Sequence, residues 1–337
     1  MLNKSARKSF QKIISSKEPV VVISHVNPDG DAIGSGIALA LYLKKLDIPV
    51  QVIIPNEVPE FLKWLPGYEL VKSGTQDFEA CVKLMDDAAT VIMVDFNEPG
   101  RISRLEEALE RASAFKILID HHEDPDDFVD LMISEPWRGS AGEMIFKLME
   151  ELGYDHLLDK DIATNLYVAI MTDTGNFRYA SSYSEIFTVA GKLVEAGINK
   201  DQIFTNVYDS YSADRMKLMG YCMSEKLVLI QDCNAAYISL TLEEMDRFNH
   251  QVGDTEGFVN IPFSIKGIKL TALFIEKKNH IKISLRSKGD FSVDEMARKH
   301  FSGGGHINAA GGESRESLEQ TIENFVGVIK ENKDALS

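Results

Sequence analysis

Four stretches of the sequence follow one pattern, in which an apolar run stops and an aspartate or histidine comes at once. VVVISHVNPDGDAIGS (20–35) supplies His25, Asp29 and Asp31, and VIMVDFNEPGR (91–101) supplies Asp95. KILIDHHED (116–124) supplies Asp120, His121 and His122, and LYVAIMTDTGNF (166–177) supplies Asp173. Imidazoles and carboxylates carry protons and bind metals, and they are poor core material, because unpartnered buried polar groups are costly. Mixed His and Asp ligands suit a hard-to-borderline divalent ion such as Mn²⁺, with Zn²⁺, Fe²⁺ or Mg²⁺ less favoured. Five or six donors exceed one closed tetrahedral zinc site. They fit two ions about 3.5–4 Å apart, which can clamp the attacking and leaving oxygens in phosphoryl hydrolysis. Taken singly, each piece has a plainer reading: Asp29-Gly30-Asp31 as a turn, Asp95 as a helix cap, a loop histidine as solvated. Their recurrence at four apolar ends is what points to one shared site.

The elements that must position these groups are legible as alternating strands and helices. VVVIS (20–24), VQVIIP (50–55), TVIMVD (90–95) and KILID (116–120) read as buried strands. SGIALALYLKKL and RISRLEEALERA read as helices between them, and DIATNLYVAIMTDT as a further helix. This alternation predicts a parallel, doubly wound sheet, in which ligands collect at the carboxyl ends of the strands. A helical stretch comes next, and from KLVLIQDCNAAYISL onward the alternation and the turns at KKNH and SKGD predict a second α/β domain with a mixed sheet. The expected division is 1–190 for a catalytic domain, 191–225 for a helical connector and 226–337 for a substrate-binding domain.

Composition narrows the function classes. The chain has 337 residues, enough for two domains, with 44% hydrophobic and 26% charged residues, an ordinary globular balance. Its net charge of −16 speaks against binding long nucleic acid, which relies on clustered cations. A small phosphorylated substrate remains compatible, because bound metals reverse the local field. No apolar run is long enough to span a membrane, and the basic N-terminus lacks the apolar core of a secretory signal. Cys81, Cys222 and Cys233 show no metal-type spacing and leave an odd count, so a cytoplasmic, reducing setting is expected.

Late in the chain, HFSGGGHINAAGG (300–312) reads as a glycine loop opening onto a helix, whose amides would approach an anion. Arg286 stands in ISLRS, among alternating strand residues. Ser140 and Glu143 in SAGE read as a capping box without a catalytic role. Phe177, Arg178 and Tyr179 suit base contact or core packing equally.

With SHVNPDGDAIGS, VDFNEPGR, IDHH, MTDTGNF, SLRS and GGGHINAAGG in that order, nearly the whole chain resembles the DHH phosphoesterase family, in the branch with a C-terminal DHH-associated domain. It is most similar to the group that hydrolyses short oligoribonucleotides and 3′-phosphoadenosine 5′-phosphate. The resemblance implies a Rossmann-like parallel-sheet domain, a smaller α/β domain and a cleft between them. It implies two divalent ions, Mn²⁺ foremost: one held by His25, Asp29, Asp95 and Asp173, the other by Asp31, Asp95, His121 and Asp173. Asp120 would then orient His121, while His122 faces the substrate. Arg286, Gly303, Gly304, Gly305 and His306 would hold the nucleotide's phosphate. The implied partner is a short RNA or nucleotide, with no long duplex, no membrane, and oligomeric state open, a homodimer included. Rival readings are a pyrophosphatase or polyphosphatase with the same centre, and a nucleotide sensor without turnover.

Overall fold

The computed structural model describes every residue except Ala180 and Ser337. The chain divides into two compact units, Met1–Ser210 and Tyr211–Ser337. Among the described residues no helix is long and apolar enough to cross a membrane, and all three cysteines are buried free thiols.

In the first unit six strands form one parallel sheet: β1 (Val20–Ile23), β2 (Val50–Ile54), β3 (Val71–Ser73), β4 (Thr90–Val94), β5 (Phe115–Asp120) and β6 (Leu131–Ser134). The order is β3-β2-β1-β4-β5-β6, so β1 lies between β2 and β4 and the direction of winding reverses there. A crevice outside the carboxyl ends of β1 and β4 is the usual ligand position in such a sheet. β1 and β4 are buried at every residue, as strands covered on both faces must be. The four long apolar runs are strands as expected; β3 and β6, short and only partly buried, carry no comparable signal.

Among the described residues, eight helices accompany this sheet: α1 (Lys4–Ser16), α2 (Gly30–Lys45), α3 (Phe78–Asp87), α4 (Glu106–Arg111), α5 (Ala141–Leu152), α6 (Lys160–Asp173), α7 (Ser184–Glu195) and α8 (Lys200–Tyr208). α2 begins on an Asp29 cap whose side chain accepts from the Asp31 and Ala32 amides, and it ends on Lys44 and Lys45, both favourable to the helix dipole. α6 begins on an Asp159 cap and stops at Thr174, followed by Gly175 at φ 55°. The two helices touch backbone to backbone. A Cβ on Gly30 would lie 2.3 Å from Thr172 Oγ1, and one on Gly34 would lie 2.5 Å from the Asn165 carbonyl oxygen. Gly142 of α5 is equally confined, at 2.4 Å from the Ala169 methyl.

The second unit opens with α9 (Ala213–Tyr221) and a π turn (Cys222–Lys226), followed by β7 (Leu227–Ile230), β8 (Ala235–Leu240) and α10 (Leu242–Arg247). β9 (Leu270–Glu276), β10 (Ile281–Ser287), α11 (Val293–His300), β11 (Gly304–His306), β12 (Ala309–Ser314) and α12 (Leu318–Glu331) complete it. The sheet order is β11-β12-β10-β9-β8-β7, mixed because β8 and β9 run parallel while the other pairs run antiparallel. α11 and α12 bury Met296, Phe325 and Ile329 against Phe274, Ile283 and Leu285. Leu218, Met245 and Phe258 cover Ile238, Leu273 and Ile275 in a separate cluster.

The glycine-rich run differs from the expectation. It opens onto no helix; Gly304–His306 turns through Ile307 and Asn308 and pairs back on β12 as a hairpin. Its glycines serve strand packing. A Cβ on Gly303 would lie 1.9 Å from the Gly311 carbonyl oxygen, and one on Gly312 would lie 2.6 Å from that of Phe301.

Gly34→Ala should therefore destabilise the protein by about 1–3 kcal/mol through overpacking. Gly191→Ala, in α7 with nothing within 4 Å of the new methyl, should stabilise it by about 0.5–1 kcal/mol. Paired denaturant titrations check this, and a neutral Gly34→Ala would deny that the α2–α6 contact is tight.

Candidate metal centre

Each strand of the crevice delivers one set of groups. β1 runs into His25, whose Nδ1 lies 2.8 Å from the Val26 carbonyl oxygen and whose Nε2 lies 3.4 Å from Asp95 Oδ2. The loop carrying His25 is tied down by Val26 N–H donating to the Arg101 carbonyl and by reciprocal bonds between Asn27 and Asn56. β4 runs into Asp95, which sits at φ 65°, a left-handed position that aspartate tolerates better than most residues. Its carboxylate stands between two histidines, Oδ2 toward His25 and Oδ1 3.4 Å from His121 Nε2.

His121 and His122 leave β5 in different directions. His121 Nδ1 lies 3.1 Å from the Arg138 carbonyl oxygen, and because a carbonyl only accepts, that nitrogen carries the proton. Nε2 then faces Asp95 Oδ1, Asp173 Oδ2 at 3.5 Å and Asp31 Oδ2 at 3.6 Å, open to a cation or, without one, to a second proton. Asp31 comes from the first turn of α2 and Asp173 from the last residue of α6, helices held together by Gly30 and Gly34. Asp31 is oriented by two amides of α5, Ala141 N–H at 2.6 Å and Gly142 N–H at 2.9 Å.

Asp120 is not behind His121. It accepts from His122, at 2.8 Å from Nδ1 and at 3.1 Å from the backbone N–H. β5 ends at Asp120 and the chain bends at His122, so Asp120 accepts from the residue two further on, as aspartates do in Asx turns. A peptide carbonyl, which no side-chain pattern announces, holds His121 instead.

The electrostatics show what this cluster needs. Burial would lower the His121 pKa, but the hydrogen bond with Asp95 and the charges of Asp173 and Asp31 raise it well above the usual value. His25 is raised in the same way, mainly by Asp95 against burial. Burial would raise Asp95, yet hydrogen bonds with His121 and His25 hold it far below the carboxylate range. Burial and the charges of Asp95 and Asp173 push Asp31 well up, and burial chiefly pushes Asp173 up to about 6. Acceptors face acceptors here, and protons or cations must lie between them. Two groups, His25–Asp29–Asp95 and Asp31–His121–Asp173, each bring their ligand atoms within 4.8 Å of one another, so the residues fit divalent cations.

In the second unit the phosphate candidates part company. The Gly303 and Gly305 amides are already used, donating to the Ala297 carbonyl and to Asp294 Oδ1, so they form no amide nest for an anion. Asp294 is itself held by Arg298, and a Cβ on Gly304 would lie 3.4 Å from the Arg298 guanidinium carbon. Arg286 and His306 do share a face: both are paired across to Ala309, from β10 and β11. Phe177 packs against Tyr167 and Phe187.

Metal binding here must displace protons. A carboxyl raised in the folded state contributes stability below its unfolded pKa, and that stability is lost as pH rises through the folded value, about 6 for Asp173. The metal-free fold should therefore weaken from about pH 4 to about pH 6 through Asp173, with Asp31 acting in the same direction, while bound cations favour the deprotonated groups. The rise in Tm on adding Mn²⁺ should be larger at about pH 7.5 than at about pH 5. Equal rises in scanning calorimetry would contradict this placement of carboxylates.

Comparison with known proteins agrees with the geometry. The model for the DHH family N-terminal domain matches residues 19–170, and that for the DHHA1 domain matches residues 234–333. The Bifunctional oligoribonuclease and PAP phosphatase NrnA of Thermus thermophilus is 28% identical over 314 residues, covering 93% of this chain and 90% of that protein. Its namesake from Bacillus subtilis is 25% identical over 327 residues, covering 96% and 98%. The crystal structure of an exopolyphosphatase-related protein from Bacteroides fragilis is 40% identical, covers 99% of both chains and superposes with a TM-score of 0.93. With likeness along its full length and the two domains in order, this chain belongs to the DHH family, its DHH domain followed by a DHHA1 domain.

Proposed function

We propose that the chain is a two-metal phosphoesterase that hydrolyses very short oligoribonucleotides and 3′-phosphoadenosine 5′-phosphate. The observation that carries this reading is Asp95, one oxygen toward His25 and the other toward His121, as a carboxylate shared by two ions would be. His25, Asp29, Asp95 and Asp173 would hold one ion, and Asp31, Asp95, His121 and Asp173 would hold the other, with Mn²⁺ best matched to the donors. Such ions supply positive charge that favours deprotonation of water and offsets charge developing on phosphoryl oxygens. His122 commits its Nδ1 to Asp120 and leaves Nε2 for the substrate, where in the protonated ring it would donate to a phosphoryl oxygen. Residues 226–337 act as the substrate-binding domain, with the side chains of Arg286 and His306 as phosphate contacts.

The relatives named for oligoribonuclease and PAP phosphatase activity support the nucleotide substrates. The exopolyphosphatase-related protein from Bacteroides fragilis favours a second reading, hydrolysis of inorganic polyphosphate. Assaying the full chain with Mn²⁺ against a dinucleotide, 3′-phosphoadenosine 5′-phosphate, a long RNA, pyrophosphate and polyphosphate separates the two. The expected result is turnover of the first two, little of the long RNA given the net charge of −16, and none of the inorganic substrates. Preferred release of phosphate from polyphosphate would replace the reading.

His122→Ala should keep both ions and lose about 10²–10³ in rate, the scale of one preorganised donor. His121→Ala should lower metal occupancy, with partial rescue by excess Mn²⁺. Arg286→Ala should mainly raise KM, because a phosphate contact is present in ground and transition states alike. Elemental analysis beside kinetics checks all three, and metal loss in His122→Ala but not His121→Ala would reverse the assignment.

A further inference from the structure

A buried ionic cluster lies behind one side of the metal centre, and it grips the backbone that orients two of the ligands. One short segment, 138–142, touches both Asp31 and His121. The Arg138 carbonyl oxygen accepts from His121 Nδ1, and the Ala141 and Gly142 amides donate to Asp31. Gly142 cannot shift toward α6, since a side chain there would meet Ala169.

Glu143 fixes that segment. It is fully buried, and its own amide donates to Ser140 Oγ, as in a helix cap. Its carboxylate reaches back past the cap. Oε1 accepts from Arg138 Nη1 at 2.7 Å, and Oε2 accepts from the Gly139 N–H at 3.2 Å and from the Tyr183 hydroxyl. Arg138 is buried and donates further to Glu135 and Glu185, both at 2.8 Å. The Gly139 N–H also reaches Tyr183 Oη at 2.9 Å.

Stability alone gives little reason for such a cluster, because buried ion pairs can often be replaced by apolar groups without loss. A fixed geometry does give a reason. With the Arg138 carbonyl in place, His121 is locked in the tautomer whose Nε2 faces the carboxylates; with α5 in place, both oxygens of Asp31 have donors. His25 and Asp29 draw on other groups, the Val26 carbonyl and the first amides of α2.

We infer that Glu143, with Arg138 and Tyr183, is a positioning unit for the Asp31–His121 half of the centre, setting the affinity of one of two ions. The inference rests on the two-ion reading above. Groups hydrogen-bonded directly to metal ligands typically change metal affinity about 10–100-fold when removed, and Glu143 acts on such groups through the backbone it holds.

The test uses the full chain, freed of metal by chelation and titrated with Mn²⁺, followed by calorimetry and by electron paramagnetic resonance. The wild type should bind two ions and give a spin-coupled spectrum. Glu143→Gln should weaken one ion about 10–100-fold and leave the other unchanged, so that an isolated-ion spectrum appears at intermediate Mn²⁺ and turnover recovers at high Mn²⁺. Tyr183→Phe, which removes one hydroxyl and keeps the ring, should shift the same ion in the same direction by less, and it decides the matter if Glu143→Gln does not fold. A variant that melts earlier but binds both ions as the wild type does would overturn the inference and leave the two-ion reading standing. A wild type that binds fewer than two ions would overturn that reading itself.

Discussion

The contact on which the centre depends is the backbone approach of α2 to α6 through Gly30 and Gly34, with Gly142 bringing α5 against the same surface. Side chains at these positions would push the helices apart, and Asp31 and Asp173, at opposite helix ends, would no longer face one histidine. The antiparallel arrangement places the first turn of α2 beside the last turn of α6, so their dipoles oppose favourably. Glycine in a helix lowers its intrinsic stability. Here that loss is offset by burial, since Ile33, Ile37, Leu166 and Ile170 on these helices are wholly enclosed.

Close approach concentrates negative charge, and the chain answers it group by group with fixed donors. Asp29 takes the first amides of its own helix, Asp31 those of α5, Asp120 the ring and amide of His122, and Asp95 stands between two imidazoles. Two of those donor sets are helix N-termini, which carry partial positive charge. The donors orient the carboxylates without neutralising them. Burial therefore still keeps the pKa values of Asp31 and Asp173 raised, and the site still fits cations.

Short-range pattern is the part of this molecule that a sequence makes legible. The strands β1, β4 and β5 announce themselves as apolar runs, and the groups that end them meet because strand order places those three side by side. β3 and β6 are edge strands of three and four residues, too short and too exposed for periodicity to single out. The pairing of Asp120 with His122 is the common i to i+2 bond of an aspartate at a bend; the functional pattern Asp-His-His draws attention to the adjacent residue instead. Arg138 and Glu143 are a different case. Their effect on His121 and Asp31 passes through a peptide carbonyl and two peptide amides, and backbone groups are the same at every position of a sequence. Glu143 looks like half of a capping box because its amide does cap; only the fold shows where its carboxylate goes.

The glycine-rich hairpin of the second unit carries the same lesson to substrate recognition. Gly303, Gly305 and Gly312 are demanded by neighbouring carbonyls at 1.9, 2.5 and 2.6 Å, and two of the amides are spent inside the protein. Gly311 is not so constrained, its nearest atom standing 3.7 Å from a would-be methyl. It is paired directly with Ser284, two residues along from the Ala309–Arg286 pair and on the same face, so the β10–β12 surface beside Arg286 is low and smooth. An anion on that surface would meet side chains rather than a cradle of amides. Guanidinium and imidazole are longer, charged and more adaptable than peptide N–H groups, and they accept phosphates that differ in spacing. Under the proposed function, a grip of that kind would hold a phosphate wherever a short chain presents one, which suits a substrate class defined by brevity more than by sequence.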